Sequence, residues 1–283
     1  MQIVPSGDVI GADVVGVDLT APLGAADVSS LAGALAAHGV ICIKDQRLPP
    51  GDYVAFARRF GAIERIFLEH YAHPDWPEIL LVSNIQEHGR NIGHADAGRV
   101  WHTDMSYIAE PPRATMLYAL EVPRDGDRRA LGDTHFASAA AAYDALEEET
   151  KALIAGRQAV HRVAGRRKRL GTSRQDDGHR AAQPDVVHPV ARTHPITGRK
   201  CIYVSEGECV AIDGMADVAA EALIARLQSQ ILDPSLRHTH RWTEGDLLIW
   251  DNCAVQHIAD FDYSWPTHRR LMHRITVGGE ATF

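Results

Sequence analysis

The sequence predicts a mainly β fold in which two sheets form a barrel and helices flank it. Short apolar runs separated by glycine, proline and polar turn residues recur along the chain, as they do in all-β folds. Only a few segments have helical spacing, and no internal repeat or linker interrupts the 283 residues. A barrel with added helices reaches this length as one unit, so we expect a single domain over residues 1–283.

Predicted helices and strands alternate in the first half of the chain. Leu31 and Leu35 share one face of a predicted helix, and Gly39 is the kind of residue that ends one. Pro50 begins a second helix, because proline fits the first helical turn. Residues 84–100 are rich in Gly, Asn and His and predict a loop. The predicted elements are a helix over residues 27–38, a strand over 40–43, a helix from residue 50, and strands over 78–82 and 114–120.

The second half contains the clearest helical pattern, over residues 139–155, with Gly156 directly after it. Thr197-Gly198 is a turn signal between two apolar runs and predicts a hairpin. Residues 161–189 contain few core-forming side chains, so we predict a lid or mobile loop there, with a solvated basic surface loop as the alternative. The remaining predicted elements are a helix over residues 216–232 and strands over 239–242, 246–250 and 271–277.

Composition narrows the possible environments and partners of the protein. The hydrophobic content of 45% and charged content of 23% fit an ordinary globular protein. No apolar run is long enough for a membrane span, and the N-terminus lacks the features of a secretory signal. The four cysteines form no CxxC pair, which indicates a reduced, cytoplasmic protein without membrane attachment. The net charge of −8 argues against nucleic acid as a partner, and an anionic substrate would need a local positive cluster.

Three His-x-Asp tripeptides are candidates for metal ligation, beginning at His73, His94 and His102. Prolines surround the first, and glycines surround the second, so neither fits a core strand. Only His102 and Asp104 lie in a strand-like context, in which alternation would put both side chains on one face. The alternative for this pair is a surface strand or a turn without a metal.

We predict that His257, from a distant strand, joins His102 and Asp104 as the third ligand of one iron(II). Two imidazoles and one carboxylate on one face of the ion form the facial triad of non-haem iron oxygenases, which leaves the opposite face open. A core histidine that is hydrogen-bonded to backbone is the alternative for His257. We expect no catalytic residue beyond these ligands.

Two arginines follow the third predicted ligand. Arg270 lies 13 positions after His257 (270 − 257 = 13), and Arg274 shares its face of the predicted last strand. Two inward guanidinium groups are costly unless each meets an anion, which arginine binds in a two-pronged fork. Surface ion pairs with acidic residues are the alternative, and we expect one for the neighbouring Arg269.

The sequence resembles the taurine/alkylsulfonate dioxygenase family, which includes the aryloxyalkanoate dioxygenases, over nearly its whole length. The resemblance is carried by Trp101-His102-Thr103-Asp104, Gly132-Asp133-Thr134, Trp250-Asp251-Asn252 with Gln256-His257, and Arg269-Arg270-Leu271-Met272-His273-Arg274. These TauD/TfdA enzymes are iron(II)- and 2-oxoglutarate-dependent oxygenases. The resemblance implies a double-stranded β-helix, or jelly roll, as the core, and a homodimer or homotetramer.

By this resemblance, His102, Asp104 and His257 bind Fe(II), and Thr134 and Arg270 bind the distal carboxylate of 2-oxoglutarate. Arg274 matches the position that grips a sulfonate or carboxylate of the prime substrate. The implied reaction consumes O2, hydroxylates a small anionic molecule and releases succinate and CO2. Ascorbate is the implied stimulant of such an assay.

The substrate side departs from the taurine enzyme. Gly98 lies where that enzyme has a polar amide, Tyr107 replaces a phenylalanine, and Glu208 lies where it has another. We therefore assign Tyr107 and Glu208 with Arg274 to the substrate site and expect a carboxylate that carries a polar or amino group. The alternative for Glu208 is an orientation toward solvent. A larger or tethered amino-acid-like substrate and a non-catalytic metal-binding jelly roll are the competing functions.

Overall fold

The computed structural model describes residues 1–163, 165 and 183–283. Its helices are α1 (Ala25–His38), α2 (Pro50–Ala57), α3 (Ala139–Asp144), α4 (Glu148–Ile154) and α5 (Asp217–Ile231), with short 3-10 turns at Glu69–Tyr71 and Pro234–Leu236. Its strands are β1 (Gln2–Pro5), β2 (Ala12–Val15), β3 (Val40–Ile43), β4 (Leu80–Ser83), β5 (Gln86–Glu87), β6 (Arg90–Asn91), β7 (Ala114–Glu121), β8 (Thr134–Ser138), β9 (Gln158–His161), β10 (Val186–Pro189), β11 (Ala191–Thr193), β12 (Lys200–Ile202), β13 (Cys209–Ile212), β14 (Arg237–His240), β15 (Leu247–Asp251), β16 (Val255–Ala259) and β17 (Leu271–Val277).

The predicted mainly β architecture is confirmed, and its two central sheets form the barrel. The larger sheet has the order β1-β2-β3-β15-β7-β17-β4, and the smaller has the order β14-β8-β16. Neighbouring strands are antiparallel except for the parallel pair β2 and β3. Phe136 of the smaller sheet packs against Trp250 of the larger sheet, with ring centroids 5.7 Å apart. The interior between the two sheets is the space into which functional side chains can point.

Strand β3 shows how the larger sheet separates two parts of the core. Ile41 and Ile43 belong to the cluster that includes Leu31 and Leu35 of α1. Val40 and Cys42 belong to the cluster between the sheets. This follows from the alternation of side chains across a strand. Helices α1 and α2 therefore cover the outer face, while the inner face remains available to the barrel. A third apolar cluster joins α5 to β12 and β13.

Several predicted elements are confirmed nearly to the residue. The last strand spans the predicted residues 271–277, and α5 ends one residue before the predicted limit. Gly39 has φ 68°, in the left-handed region where glycine is favoured, and its N–H caps the C-terminus of α1. The predicted hairpin around Thr197-Gly198 is the antiparallel pair β11 and β12. Local sequence signals were sufficient for these elements.

The prediction of one helix over residues 139–155 was wrong, because the segment forms α3 and α4 with a break between them. Leu146 packs against the α5 cluster, and Glu147 has extended backbone and begins the second helix. Acidic side chains are favoured at a helix N-terminus, where they face the positive end of the helix dipole. The acidic run 147–149 was therefore a start signal inside an otherwise helical pattern.

The predicted lid at residues 161–189 is only partly within the described structure. His161 ends β9 and pairs with Val186 at the start of β10, so both ends of the segment are strands. Residues 164 and 166–182, on which the prediction of a lid depended, lie outside the described residues. All four cysteines are buried, and none of them forms a disulfide within the described residues. Within the described ranges, none of the helices combines the length and apolar character needed to cross a membrane.

Candidate active site

The structure brings His102, Asp104 and His257 together inside the barrel. Oδ1 of Asp104 lies 3.6 Å from Nε2 of His102 and 3.9 Å from Nε2 of His257. Ligand atoms from all three side chains lie within 4.8 Å of one another. Two of the residues are buried and His102 is half-buried. The three side chains are thus close enough to share one ion.

A backbone pair between the two histidines, which lie 155 positions apart (257 − 102 = 155), produces this convergence. The His102 N–H donates to the His257 carbonyl at 3.2 Å, and the His257 N–H donates back at 2.9 Å. The prediction that His102 and Asp104 share a strand face was wrong. His102 forms only this isolated bridge, and Asp104 begins a turn in which Met105 has φ 49°. The turn carries the carboxylate back toward the two imidazoles.

Hydrogen bonds fix which atom each side chain presents. Nδ1 of His102 donates to the Val100 carbonyl at 2.7 Å, so Nε2 of this ring carries the free lone pair. Oδ2 of Asp104 accepts from Oγ1 of Thr115 at 2.7 Å and from Nε1 of Trp250 at 3.2 Å. Oδ1 is the oxygen that faces the histidines. Sequence reasoning missed Thr115 and Trp250 as orienting residues, although Trp250 is part of a motif it singled out.

The electrostatics of the site favour the protonation states that bind metal. Burial raises the pKa of the Asp104 carboxyl, but Arg274, His257 and His102 together hold it well below its usual value. Burial, followed by the charge of His102, lowers the pKa of His257 to about 3. A carboxylate and a neutral imidazole are the forms that coordinate a metal.

The donor set fits a divalent transition metal. Two donors bound to one ion at about 2.1 Å each lie no more than about 4.2 Å apart, and both distances from Asp104 Oδ1 are within this limit. Two imidazoles and one carboxylate are the donors of the facial iron(II) triad. His102, Asp104 and His257 could therefore hold iron(II) without a fourth protein ligand.

Arg270 and Thr134 line a cavity of about 60 Å³ beside this cluster. Arg270 is buried, and its Nη1 donates to the carbonyl of Gly132 at 2.7 Å. Gly132 has φ 76°, and a Cβ there would collide with that guanidinium, so glycine is required for the contact. Oγ1 of Thr134 accepts from Nε1 of Trp242 at 3.0 Å. The guanidinium forms no ion pair with a described residue, and burial lowers its pKa. A carboxylate is the anion that would complete this arrangement.

A contiguous cavity of about 100 Å³ is lined by Arg274 and Tyr107, and also by Gly98. Nη2 of Arg274 lies 2.8 Å from Oδ1 of Asp104, and its Nε is buried without a hydrogen-bond partner. Glu208 is buried and accepts from Oγ of Ser205 at 2.6 Å. It is not among the described residues that line either cavity, so the structure does not bring it to Arg274. Nor does it point to solvent.

Arg269 behaves as expected for an exposed arginine. Its Nε and Nη2 donate to Glu121 at 2.8 and 3.0 Å, in a two-pronged ion pair on the surface. Arg270, directly before β17, and Arg274, within it, instead line the cavity inside the barrel. The local positive charge that an anionic substrate requires is therefore present at the cluster, despite the net charge of −8.

Comparisons with known proteins agree with this geometry. The chain is 30% identical over 288 residues to the alpha-ketoglutarate-dependent 2,4-dichlorophenoxyacetate dioxygenase of Cupriavidus pinatubonensis, covering 98% of this chain and 97% of the relative. It is 32% identical to the alpha-ketoglutarate-dependent sulfate ester dioxygenase of Pseudomonas putida, and the match covers 99% of this chain and 90% of that relative. The structure of AAD-2 in complex with Mn(II) and N-oxalylglycine superposes with a TM-score of 0.82 at 28% identity. The match covers 100% of this chain and 99% of the AAD-2 chain.

The fold and the metal-binding donor set define a jelly-roll dioxygenase that depends on 2-oxoglutarate, which confirms the predicted fold and enzyme class. The chain belongs to the family described as "Taurine catabolism dioxygenase TauD, TfdA family", whose model matches residues 2–276. The predicted resemblance to this family is therefore confirmed.

Proposed function

We propose that the protein uses iron(II), 2-oxoglutarate and O2 to hydroxylate a small carboxylate or sulfonate, with release of succinate and CO2. The observation that carries this proposal is the buried Arg270, which forms no ion pair with a described residue, beside the cluster of His102, Asp104 and His257. Relatives named for aryloxyacetate and sulfate ester substrates support a small anionic substrate.

His102, Asp104 and His257 hold the iron in this proposal, and the bound iron supplies oxygen activation and C–H oxidation. Thr115 and Trp250 keep Asp104 Oδ1 turned toward the histidines. Arg270 binds the distal carboxylate of 2-oxoglutarate in a charge-assisted fork, with the hydroxyl of Thr134 as a second contact. The burial of Arg270 strengthens this electrostatic contact.

Arg274 orients the prime substrate. Its Nε is buried, has no acceptor and belongs to a side chain that lines both cavities, so a substrate anion would satisfy it. Orientation of this kind accelerates a reaction by holding the reacting carbon at the right place. Tyr107 lines the same cavity and contributes to its shape. The contacts of Glu208 give no support for an amino group on the substrate.

The test measures succinate formation and O2 uptake with Fe(II), 2-oxoglutarate and ascorbate. The substrate panel contains alkyl sulfonates, alkyl sulfates, aryloxy acids and amino acids. We expect uptake with at least one sulfonate, sulfate or aryloxy acid, and a loss of at least about 100-fold in kcat/KM for Arg274→Gln with that substrate. Arg269→Gln is the matched control, because it removes a neighbouring arginine that faces solvent.

Two outcomes would contradict the proposal. Tight zinc binding without succinate formation for any panel member would support the non-catalytic alternative. Turnover only with amino acids would show that substrate choice does not follow from the two cavities. A larger, tethered substrate was considered because of residues 161–180, most of which lie outside the described structure.

A further inference from the structure

A further cavity lies elsewhere in the fold and shares none of its described lining residues with the two active-site cavities. Its volume is about 270 Å³. It is formed by parts of the chain around β11, the turn after β15 and the segment after β17. Its lining includes Phe60, Arg113, Arg192, His194, Ile196 and Asp251.

Two arginines in this cavity have donors without acceptors. Arg192 is 3% exposed, and its Nε and Nη1 are buried without hydrogen-bond partners. Its guanidinium lies over the ring of Tyr203, 4.9 Å from the centroid. Nε of Arg113 is also buried without a partner, and its Nη1 makes only a long contact of 3.4 Å to the Phe60 carbonyl. Neither arginine forms an ion pair with a described residue. Burying unpaired guanidinium groups is unfavourable unless an anion satisfies them.

The nearby acidic groups do not supply that anion. Oδ1 of Asp251 accepts from the N–H of Cys253 at 2.9 Å, and Oδ2 accepts from Nε2 of His194 at 3.0 Å. Nδ1 of His194 in turn accepts from the N–H groups of Ile196 and Thr197, each at 3.1 Å, so this ring is neutral and fully bonded. The second acidic residue of the lining is Glu280, which is exposed.

We propose that this cavity is a second binding site, for a small oxyanion held by Arg192 and Arg113. The guanidinium groups bind the charged end, and Phe60 and Ile196 pack against an apolar body of a few carbons. The ligand class is therefore a short organic carboxylate, with inorganic phosphate as the other source of the same chemistry. The site is independent of the iron and 2-oxoglutarate that the proposed function requires.

The test uses isothermal titration with sodium butyrate and, separately, with inorganic phosphate. Wild-type protein and Arg274→Gln are loaded with Mn(II) and N-oxalylglycine, which occupies the Arg270 side of the proposed active site; only in Arg274→Gln is the second active-site arginine removed as well. We expect one butyrate per chain in Arg274→Gln, and in the wild type the same site plus any binding at Arg274. Ile196→Trp, at a residue that is 51% exposed, fills the cavity from its edge, and Arg192→Gln removes the charge; each should weaken binding at least tenfold.

Val187→Trp is the matched control for the bulky substitution, because Val187 is 56% exposed and lies outside the cavity lining. It should bind butyrate as the wild type does. If Arg192→Gln does not fold, Ile196→Trp alone decides the question. If the wild type binds phosphate and Ile196→Trp does not, the site is supported and its ligand is inorganic phosphate. Absence of binding of both anions to Arg274→Gln, or wild-type affinity in Ile196→Trp, would overturn the proposal.

Discussion

Replacing Thr115 with valine should weaken metal binding, although Thr115 is not a ligand. Thr115 is fully buried on β7, and its hydroxyl donates to Asp104 Oδ2 and accepts from Nδ2 of Asn252 at 3.1 Å. Valine has nearly the same shape but cannot make either hydrogen bond. Among the described residues Asp104 then keeps Trp250 as its hydrogen-bond partner on Oδ2, so its carboxylate is held less firmly in the orientation that faces the histidines.

The expected loss is about 10- to 100-fold in metal affinity, as is typical when a hydrogen bond that orients a ligand is removed. A hydrogen bond to a charged group contributes about 1.5–3 kcal/mol, and about 1.4 kcal/mol corresponds to tenfold, so the two magnitudes agree. The assay is anaerobic titration with Fe(II), followed by calorimetry, together with the thermal midpoint of the protein without added metal.

Thr276→Val provides the matched control for this experiment. Thr276 is the cross-strand neighbour of Thr115 in the sheet, and it makes no hydrogen bond with any of the three proposed ligands in the described structure. Its variant should bind Fe(II) like the wild type. If Thr115→Val bound Fe(II) within about twofold of the wild type, the reasoning from oriented ligands would be refuted. An equal loss in both variants would indicate general weakening of the sheet.

Three further predictions concern the arginine cavity and stability. Arg270→Gln should raise the KM for 2-oxoglutarate about 100-fold, measured by succinate release, whereas an unchanged KM would contradict its proposed role. Gly132→Ala should raise the same KM, because its Cβ displaces the Arg270 guanidinium and its backbone is left-handed; a normal KM would contradict this contact. Burial, followed by the charge of His188, lowers the pKa of His161 to about 3. The unfolded chain therefore binds a proton below about pH 6.5 that the folded chain excludes. The free energy of unfolding that neutral His161 contributes is complete above that pH and decreases as the pH falls toward 3. By pH 5 the free energy of unfolding should fall by roughly 2 kcal/mol, which urea unfolding at pH 5 and 7 measures. His161→Phe should reduce this pH dependence. An unchanged dependence in that variant would contradict the assignment to His161.

Local signals in the sequence predicted much of the fold. Gly39 ends α1 because a left-handed residue is needed there, and Thr197-Gly198 turns a hairpin because both flanking runs are apolar. The break between α3 and α4 was missed, since its acidic start signal at residues 147–149 lies within an alanine-rich helical pattern, and the packing of Leu146 against the α5 cluster is a tertiary contact. Propensity describes isolated segments, and packing against α5 is not visible in such a segment.

The candidate site was predicted by residue but not by geometry. The ligand chemistry of their side chains identified His102, Asp104 and His257. The strand that was predicted to place His102 and Asp104 on one face is instead an isolated bridge followed by a turn. The partners that orient them come from elsewhere: Thr115 lies on β7 and Trp250 on β15. A sequence contains no direct signal for a hydrogen bond between residues more than a hundred positions apart.

The buried arginines differ in how many of their N–H groups have an acceptor within the protein. We use this difference to rank how strongly each should contribute to anion binding. Arg274 has the Asp104 carboxylate, Arg270 has the Gly132 carbonyl and the Tyr263 side chain but no carboxylate among the described residues, and Arg192 has no acceptor at its Nε or Nη1. A guanidinium that already has a carboxylate gains less from a second anion, because part of its desolvation is offset before binding. We therefore expect anion affinity to be governed most strongly by Arg270 and Arg192, while Arg274 selects the orientation of the substrate more than it adds to its affinity. Because a net charge of −8 does not favour anion binding in general, the proposed anionic ligands depend on these local arginines.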